Sequence, residues 1–265
     1  MTDSEQLKML LQKNEHLVAM VAPSFPIMYG YPEIVTKLKA LGFEHVVEVT
    51  AGAKKTNEAV AKLLKENPTG RFITSPCASF VRYVRTKHPE MLKYLAFQAD
   101  SPMVATAKII HEAYPDYKPV FIGPCIVKKL EASEDYPELN MLVLTYKELN
   151  QILQEKGLSI IETNPQDRFD ISEGPTRIYP FDGGLTDSSG IRSILKEEEI
   201  RIVSGYKNCE AILKEFEENK SIRFVDILFC EGGCINGPGV VSPLSVSDRK
   251  KKVLEYAHSV AVFSH

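Results

Sequence analysis

Four of the five cysteines in this sequence stand where their thiols could act together. Cys77 follows the apolar segment RFIT, Cys125 follows PVFI and Cys230 follows VDILF, while Cys234 lies four residues further on in CEGGC. In open parallel sheets, functional groups collect at the carboxyl ends of the strands, where the loops border a crevice. We therefore expect these four thiols to meet at one crevice.

Four soft thiolates suit either zinc or an iron–sulfur cluster. Structural zinc sites usually combine two short-spaced pairs of ligands, whereas only Cys230 and Cys234 form a close pair here. This spacing favours a cluster over zinc. The glycine-rich loop EGGCINGPG, with Gly233 just before Cys234, would let backbone N–H groups approach the sulfur atoms. Cys209, near the start of a predicted helix, is expected to be an ordinary core residue.

The elements that must position these cysteines alternate between strand and helix. The apolar runs predict strands at 17–22, 45–49, 71–74, 119–122, 141–144, 176–179, 201–203 and 225–229. Apolar residues at helical spacing predict helices at 1–13, 32–41, 58–64, 101–113, 146–156, 208–218 and 247–258. The segment 166–190 is expected to be mostly loop. Such alternation predicts an α/β fold with mostly parallel β-sheets flanked by helices.

The length of 265 residues suits one large domain or two modest ones. One β/α series lies before residue 116 and a second follows it without an obvious linker. We expect a single domain, 1–265, of two similar lobes at about 14–116 and 117–240, with a C-terminal helix at about 247–258. The cysteine site would lie in the cleft between the lobes.

The charge pattern limits the possible partners. The 32 basic and 35 acidic residues are spread along the chain, so no nucleic-acid partner is indicated. The basic run 249–252 is expected to be solvated helix surface. No stretch reaches the roughly 20 apolar residues of a membrane span, and the amino end lacks the apolar core of a secretory signal. The expected location is the cytoplasm, where the cysteines stay reduced.

Three segments resemble the signatures of the iron-only (FeFe) hydrogenase catalytic domain, in the family's order and with its spacing. They are Thr74-Ser75-Pro76-Cys77, then Pro124-Cys125 with Lys128, Lys129 and Glu131, then Cys230 through Gly239. The segment Val21-Ala22-Pro23-Ser24 also resembles the family's first strand and loop. The resemblance covers nearly the whole chain.

The resemblance implies a 4Fe–4S cluster, and the cysteine ligands would be Cys77, Cys125, Cys230 and Cys234. In the family the last ligand also bridges to a diiron subcluster with carbonyl, cyanide and dithiolate ligands, the whole being the H-cluster. Cys234 and Lys128 would be the catalytic residues, with Lys128 donating to a cyanide nitrogen. Pro23, Ser24, Ser101 and Gly233 would also contact the cofactor. Glu131 is expected to pair with Lys128.

The same resemblance implies a reaction and its partners. The reaction is reversible oxidation of H2 and reduction of protons. The partners would be a ferredoxin-like electron-transfer protein or domain and the hydrogenase maturation proteins that load the diiron unit.

Several positions depart from the family pattern. Pro76 replaces the cysteine that relays protons, Met103 stands where a glutamine would contact cyanide, and Gly123 and Leu228 replace methionines. The acidic residue expected near Glu58 is displaced by one position. A positioned proton donor contributes about 10²- to 10⁴-fold in rate. We therefore expect slow hydrogen turnover and a role in hydrogen sensing, as in the divergent, sensory-type branch of the family.

Two alternatives stay open at this point. The first is a non-catalytic 4Fe–4S electron carrier or iron–sulfur assembly protein without the diiron unit, against which the intact PCxxKKxE segment argues. The second is an enzyme that uses Cys77 as its nucleophile. None of the six histidines forms a motif with Cys77, although a general base is brought in by the fold rather than by sequence neighbours.

Overall fold

The computed structural model describes residues 1–261 and arranges seven strands in two parallel sheets. The strands are β1 Leu17–Val21, β2 His45–Glu48, β3 Phe72–Ile73, β4 Lys118–Gly123, β5 Leu142–Thr145, β6 Ile200–Ser204 and β7 Phe224–Leu228. The first sheet has the order β2-β1-β4-β5 and the second the order β3-β7-β6. Every strand pair in both sheets is parallel.

Ten helices accompany the strands in the described part of the chain. They are α1 Asp3–Gln12, α2 Glu33–Leu41, α3 Thr50–Glu66, α4 Ala78–Lys87, α5 Pro102–Ala113, α6 Lys128–Leu130, α7 Tyr146–Glu155, α8 Gly184–Ser189, α9 Tyr206–Glu218 and α10 Val246–Ala261. None of those in residues 1–261 has the length and hydropathy that a membrane span requires. The predicted α/β class, with parallel sheets flanked by helices, is confirmed.

Most of the strands are continuous apolar runs, as is typical of parallel sheets covered by helices on both faces. All five residues of β1 are buried, as are all five of β7. On the first sheet, Ile34 and Leu38 of α2 pack into the core. On the second, Phe80 of α4 and Phe216 of α9 do the same. Each sheet therefore has its own hydrophobic core.

The two sheets do not follow the expected division of the chain near residue 116. In the first sheet Val18 of β1 pairs with Pro119 of β4, and in the second Ile73 of β3 pairs with Val225 of β7. Each sheet therefore takes strands from both halves of the sequence. An apolar run does not specify its neighbour. Here the connections after β2, β3 and β5 each end in the opposite sheet, so the lobes interleave.

One predicted strand was wrong, one predicted helix was too short and one helix was missed. The segment 176–179 is not a strand, because Gly174–Ile178 forms a 3₁₀ helix in which Thr176 donates to the Thr50 carbonyl at 2.7 Å. Thr176 and Arg177 of this turn hydrogen-bond to Thr50 and Glu48, at the end of β2 and the start of α3. The segment therefore contacts the first sheet through its side chains and does not pair with it as a strand. Helix α3 begins eight residues before the predicted 58, and α4, directly after Cys77, was not predicted. The other predicted strands and helices are confirmed within a few residues.

A buried carboxylate joins three of these elements. Glu48, at the end of β2, is fully buried and lies 3.1 Å from Arg177 Nε in the 3₁₀ helix. Tyr256 of α10 donates to Glu48 Oε1 at 2.9 Å. Burying these charges is tolerable because each is paired and hydrogen-bonded. The network holds α10 over the part of the fold that carries the cysteine loops.

Asp226 makes the stability of the fold depend on pH. It is buried in β7, where its Oδ2 accepts from Thr186 N at 3.0 Å and Thr186 Oγ1 at 2.7 Å. Burial raises the pKa of Asp226 from 3.8 to about 6. Since the folded pKa lies above the unfolded one, its stabilising effect is complete below pH 3.8 and is lost as pH rises through about 6.

We expect Asp226→Asn to remove that pH-dependent loss, which amounts to about 3 kcal/mol. Urea unfolding of both proteins from about pH 4 to pH 7 measures it, and the variant should gain relative stability toward pH 7. Asp116→Asn is the control, because Asp116 is exposed and is not among the charges that shift the pKa of Asp226. If wild type and Asp226→Asn showed the same pH dependence, Asp226 would not be the titrating group.

Candidate metal centre

The four cysteines lie in loops at the carboxyl ends of three strands. Cys77 follows β3 and caps the amino end of α4. Cys125 comes two residues after β4, and Cys230 comes two residues after β7. Cys234 opens a single 3₁₀ turn, Cys234–Asn236, in the same loop as Cys230. Because β4 belongs to one sheet and β3 and β7 to the other, both sheets contribute cysteines.

Backbone contacts hold these loops against one another. Gly239 N donates to the Pro124 carbonyl at 2.8 Å, which joins the loop after β7 to the loop before Cys125. A side chain at Gly237 would place its Cβ 2.5 Å from the same carbonyl oxygen, so only glycine allows this approach. Phe229 N donates to Cys77 Sγ at 3.4 Å. The glycine-rich loop therefore serves to bring the cysteine segments together.

The turn between Cys230 and Cys234 depends on Gly233. This residue has φ +94°, and a Cβ there would lie 2.6 Å from the Pro180 carbonyl oxygen. Its N–H donates to the Cys230 carbonyl at 3.0 Å. Because the Gly233 N–H is already hydrogen-bonded within the turn, the role of Gly233 is to allow the shape of the loop.

Arg249 corrects the expectation that the run 249–252 is only solvated surface. It is half-buried, and its guanidinium donates to Asn236 Oδ1 at 2.9 Å, to the Ser242 carbonyl at 2.8 Å and to the Leu244 carbonyl at 3.0 Å. A further bond reaches the Ile235 carbonyl at 3.3 Å. Helix α10 thus holds the loop that follows Cys234.

The thiols lie close enough to affect one another. Burial raises the pKa of Cys234 well above its ordinary value, and the charges of Cys77, Cys125 and Cys230 add to the increase. Burial, followed by the charges of Cys77 and Cys125, raises the pKa of Cys230 to about 12. Thiols with raised pKa values resist ionising unless a cation compensates them, and iron bound to the thiolates of Cys230 and Cys234 would do so.

The same electrostatics argue against a nucleophilic Cys77. Burial, and then the charge of Cys125, raises the pKa of Cys77, whereas a reactive cysteine needs a lowered pKa and a nearby base. Among residues 1–261, no three His, Cys, Asp or Glu side chains are grouped to hold a single metal ion. In a cubane each thiolate binds a different iron, so its ligands lie further apart than those around one zinc ion. Four thiolates are the usual ligands of a 4Fe–4S cluster, so the donor set suits one.

Cys209 is buried in the core of the second sheet, as expected, with its Sγ 3.6 Å from the Leu228 carbonyl. We expect Cys209→Ala to bind as much iron as the wild type after anaerobic reconstitution. Alanine at any of the other four positions should lower the iron content and change the spectrum of the cluster. Iron and sulfide analysis measures this. If the Cys77→Ala variant still bound four irons while the Cys209→Ala variant did not, Cys209 would replace Cys77 as the expected ligand.

An apolar cavity of about 80 Å³ adjoins Cys234 and Cys125. One water needs roughly 10–15 Å³, so a group of several atoms fits. Its wall includes Pro23, Ser24, Met103, Phe121, Lys128 and Leu228. The ring of Phe121 leaves no room for a side chain at Gly123, where the family pattern has a methionine. A Cβ at Gly123 would lie 2.5 Å from that ring.

Lys128 brings a charge into this apolar wall. It begins α6, is 8% exposed, and donates through Nζ to the Pro76 carbonyl at 3.0 Å. Its second partner is the carboxylate of Glu131, which is 6% exposed and one turn further along. The expected pair of Lys128 with Glu131 is therefore present, and it lies inside the protein.

Ser24 is already engaged by a tyrosine. Its Oγ lies 2.8 Å from the hydroxyl of Tyr146, and that hydroxyl donates its one proton to the Ala22 carbonyl at 2.7 Å. Ser24 must therefore donate to Tyr146. Ser24 and its neighbour Pro23 still line the cavity, but the serine proton points away from it in this arrangement.

Two expected positions lie elsewhere. Ser101 is the N-cap of α5 and borders a separate polar cavity of about 310 Å³, together with Glu131. Glu58 is exposed and borders a polar groove on α3. Conversely, Tyr179 lines the apolar cavity although the sequence analysis did not predict it there. No motif or periodicity marks Tyr179, because a long irregular segment brings it there.

Similarity to known proteins agrees with this arrangement. Residues 15–238 match the family model described as iron only hydrogenase large subunit, C-terminal domain. The chain is 25% identical to iron hydrogenase 1 of Clostridium pasteurianum, over 85% of its own length and 50% of that protein. It is 23% identical to a cytosolic Fe-S cluster assembly factor of Yarrowia lipolytica, over 81% of the chain and 61% of the relative. The chain thus spans about half to three fifths of the length of these curated relatives.

The fold has a solved counterpart. An FeFe-hydrogenase of Chlamydomonas reinhardtii superposes with a TM-score of 0.74 at 17% sequence identity, covering 96% of this chain and 88% of that one. At that identity the likeness concerns the fold alone. The family model covers most of the sequence and includes all five cysteines. The chain accordingly belongs to the family formed by the C-terminal domain of the large subunit of iron-only hydrogenases, whose members bind iron–sulfur clusters.

Proposed function

We propose that this chain binds an H-cluster and interconverts hydrogen and protons slowly. Cys77, Cys125, Cys230 and Cys234 would hold a 4Fe–4S cluster, with Cys234 bridging to a diiron unit in the apolar cavity. The observation that carries the proposal is the buried ammonium of Lys128 in the wall of that cavity.

Lys128 has a hydrogen-bonding capacity that the protein does not use up. An ammonium group has three protons to donate, and the described residues accept from it at the Pro76 carbonyl and at Glu131 only. The third proton is left for an acceptor in the cavity, and a cyanide nitrogen is such an acceptor. In a protein that carried only a cubane, the third proton of Lys128 would have no acceptor in the apolar cavity.

When bound, the diiron unit supplies the metal centre at which hydrogen is split or formed. The chain's own residues would orient it and keep water away. Lys128 would donate to it, while Pro23, Met103, Phe121 and Leu228 would exclude water. Pro76 has no proton to give, and its carbonyl accepts from Lys128 instead. Proton delivery is therefore poor, which supports slow turnover and a hydrogen-sensing role.

This function would require partner proteins. Electrons would come from a ferredoxin-like protein or domain, since all four grouped cysteines are used by one cluster. Hydrogenase maturation proteins would load the diiron unit. The expected setting is the cytoplasm, where reduced thiols remain available for iron.

A second function is suggested by one of the relatives. Because the Yarrowia lipolytica relative is a cytosolic Fe-S cluster assembly factor, a non-catalytic 4Fe–4S carrier or assembly protein is the alternative. This alternative predicts a cubane without a diiron unit. Lys128 would then serve only to tie the Cys77 loop to Glu131.

Infrared spectroscopy distinguishes an H-cluster protein from a 4Fe–4S carrier or assembly protein. The protein is reconstituted anaerobically with iron and sulfide, a synthetic diiron precursor is added, and a standard hydrogenase is treated in parallel. We expect protein-bound carbonyl and cyanide stretches that shift under hydrogen. If the cubane is loaded and the standard shows such bands while this protein does not, the carrier function replaces the hydrogenase function.

A further inference from the structure

Cys234 differs from the other three grouped cysteines in how the fold positions it. Cys77 caps the amino end of α4, and Cys125 and Cys230 each come two residues after a strand. Cys234 instead lies inside the irregular segment 229–245, which contains a single 3₁₀ turn that begins at this cysteine. The hydrogen-bond geometry of a 3₁₀ turn is poorer than that of an α-helix, so the turn alone holds the thiol weakly. Its position therefore depends on contacts from elsewhere.

One guanidinium joins the two ends of the loop that follows this cysteine. Arg249, in the first turn of α10, donates to the Ile235 carbonyl at 3.3 Å and to Asn236 Oδ1 at 2.9 Å. The same group donates to the Ser242 carbonyl at 2.8 Å and to the Leu244 carbonyl at 3.0 Å, at the far end of the loop. These bonds use the fixed planar fork of the guanidinium, which holds all four acceptors in one geometry.

Arg249 differs from its neighbours in the basic run. Lys250 pairs with Asp182 at 3.6 Å and Lys251 with Glu255 at 4.0 Å, and both are exposed ion pairs. Exposed pairs contribute little to stability. Arg249 is half-buried, and its guanidinium bonds are those to the loop oxygens. Hydrogen bonds from a charged donor are about twice as strong as neutral ones, so this contact holds the loop firmly.

Helix α10 is itself fixed, so Arg249 acts from a rigid support. Val253 is fully buried and belongs to the same hydrophobic cluster as Ile235, the residue after Cys234. Tyr256, two turns beyond Arg249, donates to the buried Glu48 at 2.9 Å. The arginine therefore ties the cysteine loop to a helix that is anchored in the core.

We propose that Arg249 is the positioning residue of Cys234 and thereby retains the iron that this thiolate binds. Without the guanidinium, the loop would open more often and Cys234 would leave its iron, so that iron would be lost before the other three. The inference rests on the ligand assignment in the proposed function and not on the diiron unit. It applies equally to a 4Fe–4S carrier or assembly protein.

The test uses the full chain reconstituted anaerobically with iron and sulfide, without a diiron precursor. Ferricyanide removes one electron from the 4Fe–4S cluster, which then releases one ferrous ion and leaves a 3Fe–4S cluster and one free thiolate. A ferrous chelator measures the rate, electron paramagnetic resonance detects the 3Fe–4S cluster, and iodoacetamide with mass spectrometry identifies the freed cysteine. We expect Arg249→Ala to release iron about tenfold faster than wild type, because charge-assisted bonds are lost, with Cys234 as the alkylated residue.

Two further variants separate position from charge and from folding. Arg249→Lys keeps the charge, but a compact ammonium cannot reach acceptors at both ends of the loop, so it should also release iron faster than wild type. Asn236→Ala removes a single exposed acceptor and should give a smaller increase, and it takes the place of Arg249→Ala if that protein binds no cluster. A wild-type rate in Arg249→Lys would overturn the inference, since charge and not position would be the cause.

Tyr256→Phe is the matched control, since it weakens the attachment of the same helix without touching the loop. It should lower the melting temperature and keep the wild-type rate of iron release. Equal acceleration by Tyr256→Phe, equal rates in wild type and Arg249→Ala, or alkylation of another ligand in place of Cys234 would overturn the inference while the ligand assignment stands. A reconstituted wild type whose Cys234 is alkylated before any oxidation would overturn the ligand assignment itself.

Discussion

Replacing Pro76 by cysteine is expected to raise the rate of hydrogen turnover by about 10²-fold or more. The residue at this position lines the cavity and directly precedes Cys77, and a thiol there would supply the proton donor that proline lacks. The Pro76 carbonyl, which accepts from Lys128, is kept because it belongs to the backbone. Methyl-viologen-linked hydrogen evolution by the loaded protein measures the effect.

The control for this gain is Pro76→Ala, which makes the same change to the backbone without adding a proton donor. If alanine raised the rate as much as cysteine, the gain would come from relaxing the loop. Equal infrared spectra of the three loaded proteins would show that the unit itself is undisturbed. No gain with cysteine, at full loading, would contradict the explanation of slow turnover by Pro76.

Replacing Lys128 by methionine is expected to abolish stable binding of the diiron unit while the 4Fe–4S cluster is retained. Methionine fills a similar volume but has no proton to donate to the occupant of the cavity. The single variant also leaves Glu131 buried without its partner, which costs about 3–5 kcal/mol of folding stability. Infrared bands and iron content of the loaded protein distinguish the two effects.

A double variant separates loss of the site from loss of stability. Lys128→Met combined with Glu131→Gln removes both charges, so most of the folding cost should disappear. The diiron bands should still be absent. Normal diiron binding by the stable double variant would show that Lys128 serves only to tie the Cys77 loop in place. That outcome would remove Lys128 from the site and leave the proposed function in place, because the diiron unit would still be bound.

The two variants bear on different parts of the proposed function. Pro76→Cys tests how protons reach the diiron unit, and it presupposes that the unit binds. Lys128→Met tests whether the cavity is built for the unit at all. A hydrogen sensor would bind the unit and turn over slowly, as the combination of Lys128 with Pro76 predicts. A carrier protein would bind no diiron unit, so neither change would alter hydrogen turnover or diiron bands, although Lys128→Met would still lower its folding stability.

The sequence alone determined the fold class, the grouping of the cysteines and one ion pair beside the cavity. The grouping of the four cysteines was predictable because thiols at strand ends collect at one edge of a sheet, whatever the order of the strands. The α/β class followed from apolar runs of strand length between helical periods. The pairing of Lys128 with Glu131 followed from their i, i+3 spacing. Each of these inferences depends on short stretches of chain and on local geometry.

Only the tertiary structure decided which strands are neighbours and which side chains meet in the cavity. The interleaving of the sheets depends on where each long connection ends, and apolar runs such as β1 and β4 do not encode that. Ser24 is engaged by Tyr146, 122 residues away, and Arg249 of α10 reaches the loop of Cys234. Tyr179 is brought to the cavity by an irregular segment with no periodic signal. Contacts between distant parts of the chain are set by packing of the whole core, so no local pattern could predict them.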